Sequence, residues 1–140
     1  MKILVIDDHP LVVDALKALL PQWGDGVEVL AANDAAAATR LLDDEPAIAL
    51  TLLDLGLPGT RGLDFLADLM LDYPGVSVLV LSATHDRATV AAVLAAGARG
   101  FVSKTARPEA LFAAIAAVAD GDLYIPDDLA DVPDADGVRI

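Results

Sequence analysis

Two acids, Asp7 and Asp8, follow the apolar run Ile3-Leu4-Val5-Ile6 directly, and a third, Asp54, closes a second apolar run that begins at Ile48. Ser82 closes a third such run and Lys104 follows a fourth. Short continuous apolar runs of this kind read as buried strands, so all five polar residues stand at strand ends. Three carboxylates brought together there would repel one another and raise each other's pKa. A hard divalent cation removes the conflict, and carboxylates, a backbone carbonyl and retained waters match what Mg²⁺ accepts. Such an ion bridging Asp54 and a phosphoryl group would neutralise charge in the transition state, and aspartate is a recognised covalent phosphoryl acceptor. Lys104 offers a point charge and Ser82 a hydrogen bond to phosphoryl oxygens. Singly these features are ordinary: an acid pair suits a helix N-terminus, a serine caps, a lysine is solvated. Their value is as an ordered set.

The elements that would carry these residues alternate regularly. Strands are expected over Lys2 to Asp7, Val27 to Ala32, Ile48 to Leu53, Val76 to Leu81 and Arg99 to Ser103. Pro10 opens a first helix with Leu11, Leu16, Leu19 and Leu20 as its apolar face, and Pro21 stops it. Asn33 or Asp34 caps a second, Ala-rich helix. A third runs from Gly62 to Leu71 with Leu63, Leu66 and Met70 on one side, and a fourth from Arg87 to Ala96 closed by Gly97. Pro108 opens the last, which reaches about Asp120. Continuous apolar strands alternating with helices predict an α/β fold: a parallel sheet covered on both faces and doubly wound. In such sheets the site lies beyond the carboxyl ends of the strands, where strand order reverses.

Composition bounds the rest. The 140 residues are 56% apolar and 4% aromatic, enough for one core of Val, Leu, Ile and Ala. No apolar stretch is long enough to cross a bilayer, no signal-peptide pattern opens the chain, and there is no Cys, so a cytoplasmic location without membrane attachment is expected. A net charge of −13 argues against direct nucleic-acid binding by this segment. Residues 127–140 hold five Asp with few core-forming residues and read as a linker or tail.

The segments "ILVIDDHPLV", "LLDLGLPGTRGLDFL", "VLVLSA" and "AGARGFVSKTARPEAL", in this order, resemble the receiver domain of two-component response regulators, most like the NarL/LuxR-type transcriptional regulators. The resemblance implies a CheY-like (flavodoxin-like) (βα)5 sandwich with sheet order 2-1-3-4-5. It implies a receiver over residues 1–122 and an acidic linker or tail over 123–140, approaching a helix-turn-helix domain. Asp54 would be the phosphoacceptor for a sensor histidine kinase. Asp8, Asp54 and the Gly56 carbonyl would ligate Mg²⁺, with Mn²⁺ as a substitute, and Asp7 would act through metal-bound water. Ser82 and Lys104 would contact the phosphoryl group, Ser82 and Phe101 would form the switch, and Gly56 and Thr84 would tune dephosphorylation. Homodimers would use the face of the fourth helix, fifth strand and fifth helix. Thr105 stands where many receivers carry a cis proline. His9, between two strand-end loops, could relay a phosphoryl group, but the family motif gives it no such role and it is assigned a structural one; His85 reads as a surface residue at a helix start.

The chemistry is that of a signalling phosphoacceptor and not of a turnover enzyme. A haloacid-dehalogenase-like phosphatase would need a second Asp where Gly56 stands, and a flavin binder would need aromatic and phosphate-loop residues that the chain lacks. A phosphorylation-independent interaction module is opposed by the full polar set. If excised from a longer regulator, the receiver would control transcription; standing alone, it would serve a phosphorelay.

Overall fold

The computed structural model describes residues 1–57, 59, 61–83 and 86–125. Five strands, β1 (Lys2–Ile6), β2 (Glu28–Ala32), β3 (Ile48–Asp54), β4 (Ser77–Ser82) and β5 (Gly100–Ser103), alternate with five helices. These are α1 (Pro10–Leu19), α2 (Ala35–Asp44), α3 (Gly62–Asp72), α4 (Arg87–Ala95) and α5 (Pro108–Ala119). The strands form one sheet in the order β2-β1-β3-β4-β5, and every pairing is parallel. This is the doubly wound (βα)5 architecture expected from the alternation.

Two apolar clusters, one on each face, account for its stability. Leu4, Ile6, Leu53, Val80 and Phe101 point to one side and pack with α2, α3 and α4. Ile3, Val5, Leu52, Leu79, Leu81 and Val102 point to the other and pack with α1 and α5. Alternate residues of each strand thus face opposite helix layers, so the strands are apolar along most of their length. Among the described residues no helix is long and apolar enough to cross a membrane.

Several local readings are refined. Asp34, not Asn33, caps α2 by accepting from the Ala37 amide at 2.7 Å. Pro21 falls inside a tight 3-10 turn, Leu20–Gln22, that follows α1. Leu11, assigned to the buried face of α1, is 84% exposed, while Val12 and Val13 of the same turn pack against the core. Leu63 is likewise exposed, and Phe65, Leu66 and Leu69 form the buried stripe of α3. Gly97, at φ +112° after α4, adopts the left-handed backbone that ends helices and lies against Met70.

One pairing has no counterpart in the sequence pattern. Beyond α5 the chain returns to the free edge of β5, where Tyr124 bridges Gly100 in parallel. The Phe101 amide donates to the Tyr124 carbonyl at 3.1 Å and the Tyr124 amide to the Arg99 carbonyl at 3.0 Å. Tyr124 packs on one apolar cluster and Ile125 on the other.

Candidate phosphoacceptor site

Each strand delivers its polar residue at its carboxyl end because the sheet hydrogen bonds continue one step past the apolar run. The Asp7 amide donates to the Ala32 carbonyl of β2 at 3.0 Å, holding the end of β1. Asp54 is the last residue of β3, in register with Leu81 of β4. The Lys104 amide donates to the Ser82 carbonyl at 2.8 Å, so the ends of β4 and β5 are tied together. Asp7, Asp54 and Ser82 are buried, at 1%, 2% and 7% exposure.

The acids converge. Ligand-capable atoms of Asp7, Asp8, His9 and Asp54 all lie within 4.8 Å of one another. Lys104 Nζ sits 3.0 Å from Asp7 Oδ2 and 3.1 Å from Asp54 Oδ2. The Gly56 amide donates to Asp54 Oδ1 at 3.0 Å, which orients that carboxylate and leaves Oδ2 turned to the cluster. Burial by itself pushes the Asp7 carboxyl up, but the His9 amide, the His9 ring and the Lys104 ammonium outweigh it and hold it below its ordinary value.

A divalent cation suits this donor set. Asp7 Oδ2, Asp8 Oδ1 and Asp54 Oδ2 are buried and accept no hydrogen bond. Lys104 balances two of them by charge without satisfying them by a directed bond. Three carboxylates against one ammonium leave a negative surplus, and hard oxygen donors close together are what a small divalent ion takes.

The structure brings together Asp7, Asp8, Asp54 and Lys104 as the spacing suggested. Ser82 ends the neighbouring strand, and Phe101 is fully buried on β5, in register with Val80 and two residues from Ser103, the partner of Ser82. Gly56 is exposed, and a Cβ there would lie 3.6 Å from Asp54 Oδ1. Thr84 and His85 lie outside the described residues, as does the stretch 126–140. Among the described residues every peptide bond is trans, the one preceding Thr105 included. His9, given a structural role from the sequence, lies in the site. Its amide donates to Asp7 Oδ1 at 2.9 Å and its ring Nδ1 stands 2.7 Å from the same oxygen, 3.3 Å from Asp8 Oδ1 and 3.6 Å from Asp54 Oδ2. The signal was its position two residues after Asp7, where the chain must turn back to start α1.

Beside the acidic cluster an apolar groove of about 300 Å³ opens between α1 and the start of α5, with Leu11, Leu19, Val102, Lys104 and Pro108 on its walls.

Residues 3–116 match the response regulator receiver domain family. The glycerol metabolism activator of Pseudomonas putida is 34% identical over 128 residues, covering 91% of this chain and 58% of that protein. The nitrate/nitrite response regulator NarP of Escherichia coli is 36% identical over 121 residues, covering 86% and 55%. The chain therefore spans a little over half the length of these curated relatives. A LuxR family DNA-binding response regulator from Silicibacter pomeroyi superposes with a TM-score of 0.81 at 29% identity, covering 91% of this chain and 98% of that one. The isolated receiver of RcsB from Salmonella enterica serovar Typhimurium, in its apo form, gives 0.82 at 26% identity, covering 92% and 95%. With a parallel sheet in the order 2-1-3-4-5 and an acidic pocket at the carboxyl ends of its strands, the chain belongs to the response regulator receiver domains, in their LuxR/NarL-type branch.

Proposed function

We propose that Asp54 receives a phosphoryl group from a sensor histidine kinase, and that the resulting charge resets the surface around β4 and β5. The observation that carries this reading is the buried Asp54 Oδ2, which accepts no hydrogen bond and faces Lys104 at 3.1 Å. That oxygen is the nucleophile: it attacks phosphorus as the bond to the donor's histidine nitrogen breaks. The Gly56 amide holds the other carboxylate oxygen and fixes the direction of attack. Lys104 keeps its charge over the cluster and moves from the carboxylates to the incoming phosphoryl oxygens.

Asp8, Asp54 and the Gly56 carbonyl would hold Mg²⁺, or Mn²⁺ in its place, with Asp7 acting through bound water. When bound, the ion supplies charge neutralisation for the transferring group. Ser82 donates to the phosphoryl group as it moves inward, and buried Phe101 follows it into the space vacated. Gly56 and Thr84 are the positions that tune the lifetime of the acyl phosphate; a Cβ at Gly56 would lie 3.6 Å from Asp54 Oδ1, so a side chain there would stand beside the acceptor.

Residues 1–122 serve as the receiver unit, with Tyr124 and Ile125 packed onto it, and the rest of 123–140 leads toward an output. Relatives named as transcriptional regulators, such as DegU of Brevibacillus brevis, point to control of transcription in the full-length protein, in the cytoplasm. Dimerisation through α4, β5 and α5 is the corresponding output geometry.

The test is intact mass after incubation with acetyl phosphate, with and without Mg²⁺, for wild type and Asp54→Asn. One phosphoryl adduct that requires both Asp54 and Mg²⁺ is expected. No adduct and no Mg²⁺ binding on folded protein would favour the phosphorylation-independent module.

A further inference from the structure

His9 is the one nitrogen donor in a cluster otherwise made of carboxylates. It occupies the N-cap position of α1 in an extended conformation, so its ring is carried back over the ends of β1 and β3. Around a divalent metal with bonds of about 2.0–2.2 Å, neighbouring ligand atoms lie roughly 3 Å apart. The separations of Nδ1 from Asp8 Oδ1 and Asp54 Oδ2, at 3.3 and 3.6 Å, fall near that spacing, while the 2.7 Å contact with Asp7 Oδ1 is a hydrogen bond that holds the ring over the site.

The Lys104 ammonium shows that His9 Nδ1 can face a positive charge in this pocket. It lies 3.2 Å from His9 Nδ1 while it contacts Asp7 and Asp54. The two neighbours of Nδ1 ask for opposite tautomers. Asp7 Oδ1 needs a proton on Nδ1, whereas the ammonium needs its lone pair. A metal cation beside the same carboxylates selects the second tautomer and takes the lone pair as a ligand.

We infer that His9 Nδ1 ligates the divalent cation of this pocket, so that the site discriminates in favour of first-row transition ions such as Co²⁺ over Mg²⁺. The inference rests on the reading of the pocket as the cation site of the phosphoacceptor. Imidazole suits late first-row ions, whereas Mg²⁺ prefers oxygen donors and retained water, so an added nitrogen strengthens the two unequally.

Two measurements on tag-free protein test it. Calorimetric titration with Co²⁺ and with Mg²⁺ compares wild type, His9→Ala and Asp54→Asn, and pulsed electron paramagnetic resonance of the Mn²⁺ complex looks for ¹⁴N coupling. The His9 side chain is half-exposed, so its removal leaves the core intact, and circular dichroism verifies the fold. His9→Ala is expected to weaken Co²⁺ about tenfold more than it weakens Mg²⁺, with the nitrogen coupling present in wild type and lost in the variant. Equal loss for both ions, or no nitrogen coupling in wild type, overturns the ligand role. Mg²⁺ binding that Asp54→Asn removes, without nitrogen coupling, sinks the His9 inference alone. Absence of Mg²⁺ binding in wild type sinks the reading of the pocket itself.

Discussion

Asp54→Asn should make the metal-free protein more stable, although it removes the phosphoacceptor. The nearest oxygens of Asp7 and Asp8 lie within 4.8 Å of Asp54. At an effective dielectric constant of about 20, each of these carboxylates repels Asp54 by roughly 3.5 kcal/mol or more. Lys104 Nζ at 3.1 Å returns about 5 kcal/mol of attraction. Repulsion wins by about 2 kcal/mol, and asparagine forfeits both contributions while keeping an oxygen for the Gly56 amide. The variant should therefore melt roughly 8 °C higher in EDTA at low salt. Saturating Mg²⁺ reverses the order, because at about a hundred times Kd it adds about 2.7 kcal/mol to wild type, and the variant lacks a ligand for it. Thermal and urea unfolding of both proteins, with EDTA and with Mg²⁺, measure the crossover. A variant equal to or less stable than wild type in EDTA would refute the reasoning, since the cluster would then not be under electrostatic load.

Gly100→Ala should cost about 1–3 kcal/mol, read as a lower urea midpoint at unchanged slope. Its Cβ would stand 2.7 Å from Leu79 Cδ1 and 3.1 Å from the Tyr124 carbonyl oxygen, and Leu79 is too tightly enclosed to yield. The Tyr73 hydroxyl donates to Asp43, which pushes its pKa up to about 12. Because the folded value lies above the unfolded one near 10, the stability of wild type over Tyr73→Phe should be full below pH 10 and fade between pH 10 and about 12, as checked by urea unfolding across that range.

The strand ends were the most legible part of the sequence. An apolar run stopped by an acid leaves little choice about where the strand finishes, and parallel strands place all such ends on one edge, which is why Asp7, Asp8, Asp54 and Lys104 could be grouped in advance. Sheet order and the individual roles came from resemblance, since periodicity fixes alternation but not which strands are neighbours. The misreadings share a cause. Leu11 and Leu63 have the right type and spacing for burial, yet each sits in the first turn of its helix and stays exposed. His9 was passed over because the direction of an N-cap side chain depends on how the chain enters the helix, which the Asp7 carboxylate decides by accepting the His9 amide. Tyr124 gave no signal at all: a one-residue bridge has no period to detect.

That bridge bears on what the edge of the sheet offers to other chains. A bare edge strand offers its amides and carbonyls to any other chain and seeds aggregation. The sheet has two such edges. On β2, exposed Glu28 puts a charge at the rim, paired with Lys2 at 3.5 Å. β5 is short and largely uncharged, and the returning backbone of Tyr124 occupies part of its rim. Cutting the chain ahead of Tyr124 would therefore bare the Arg99 carbonyl and the Phe101 amide and trade a closed rim for an adhesive one.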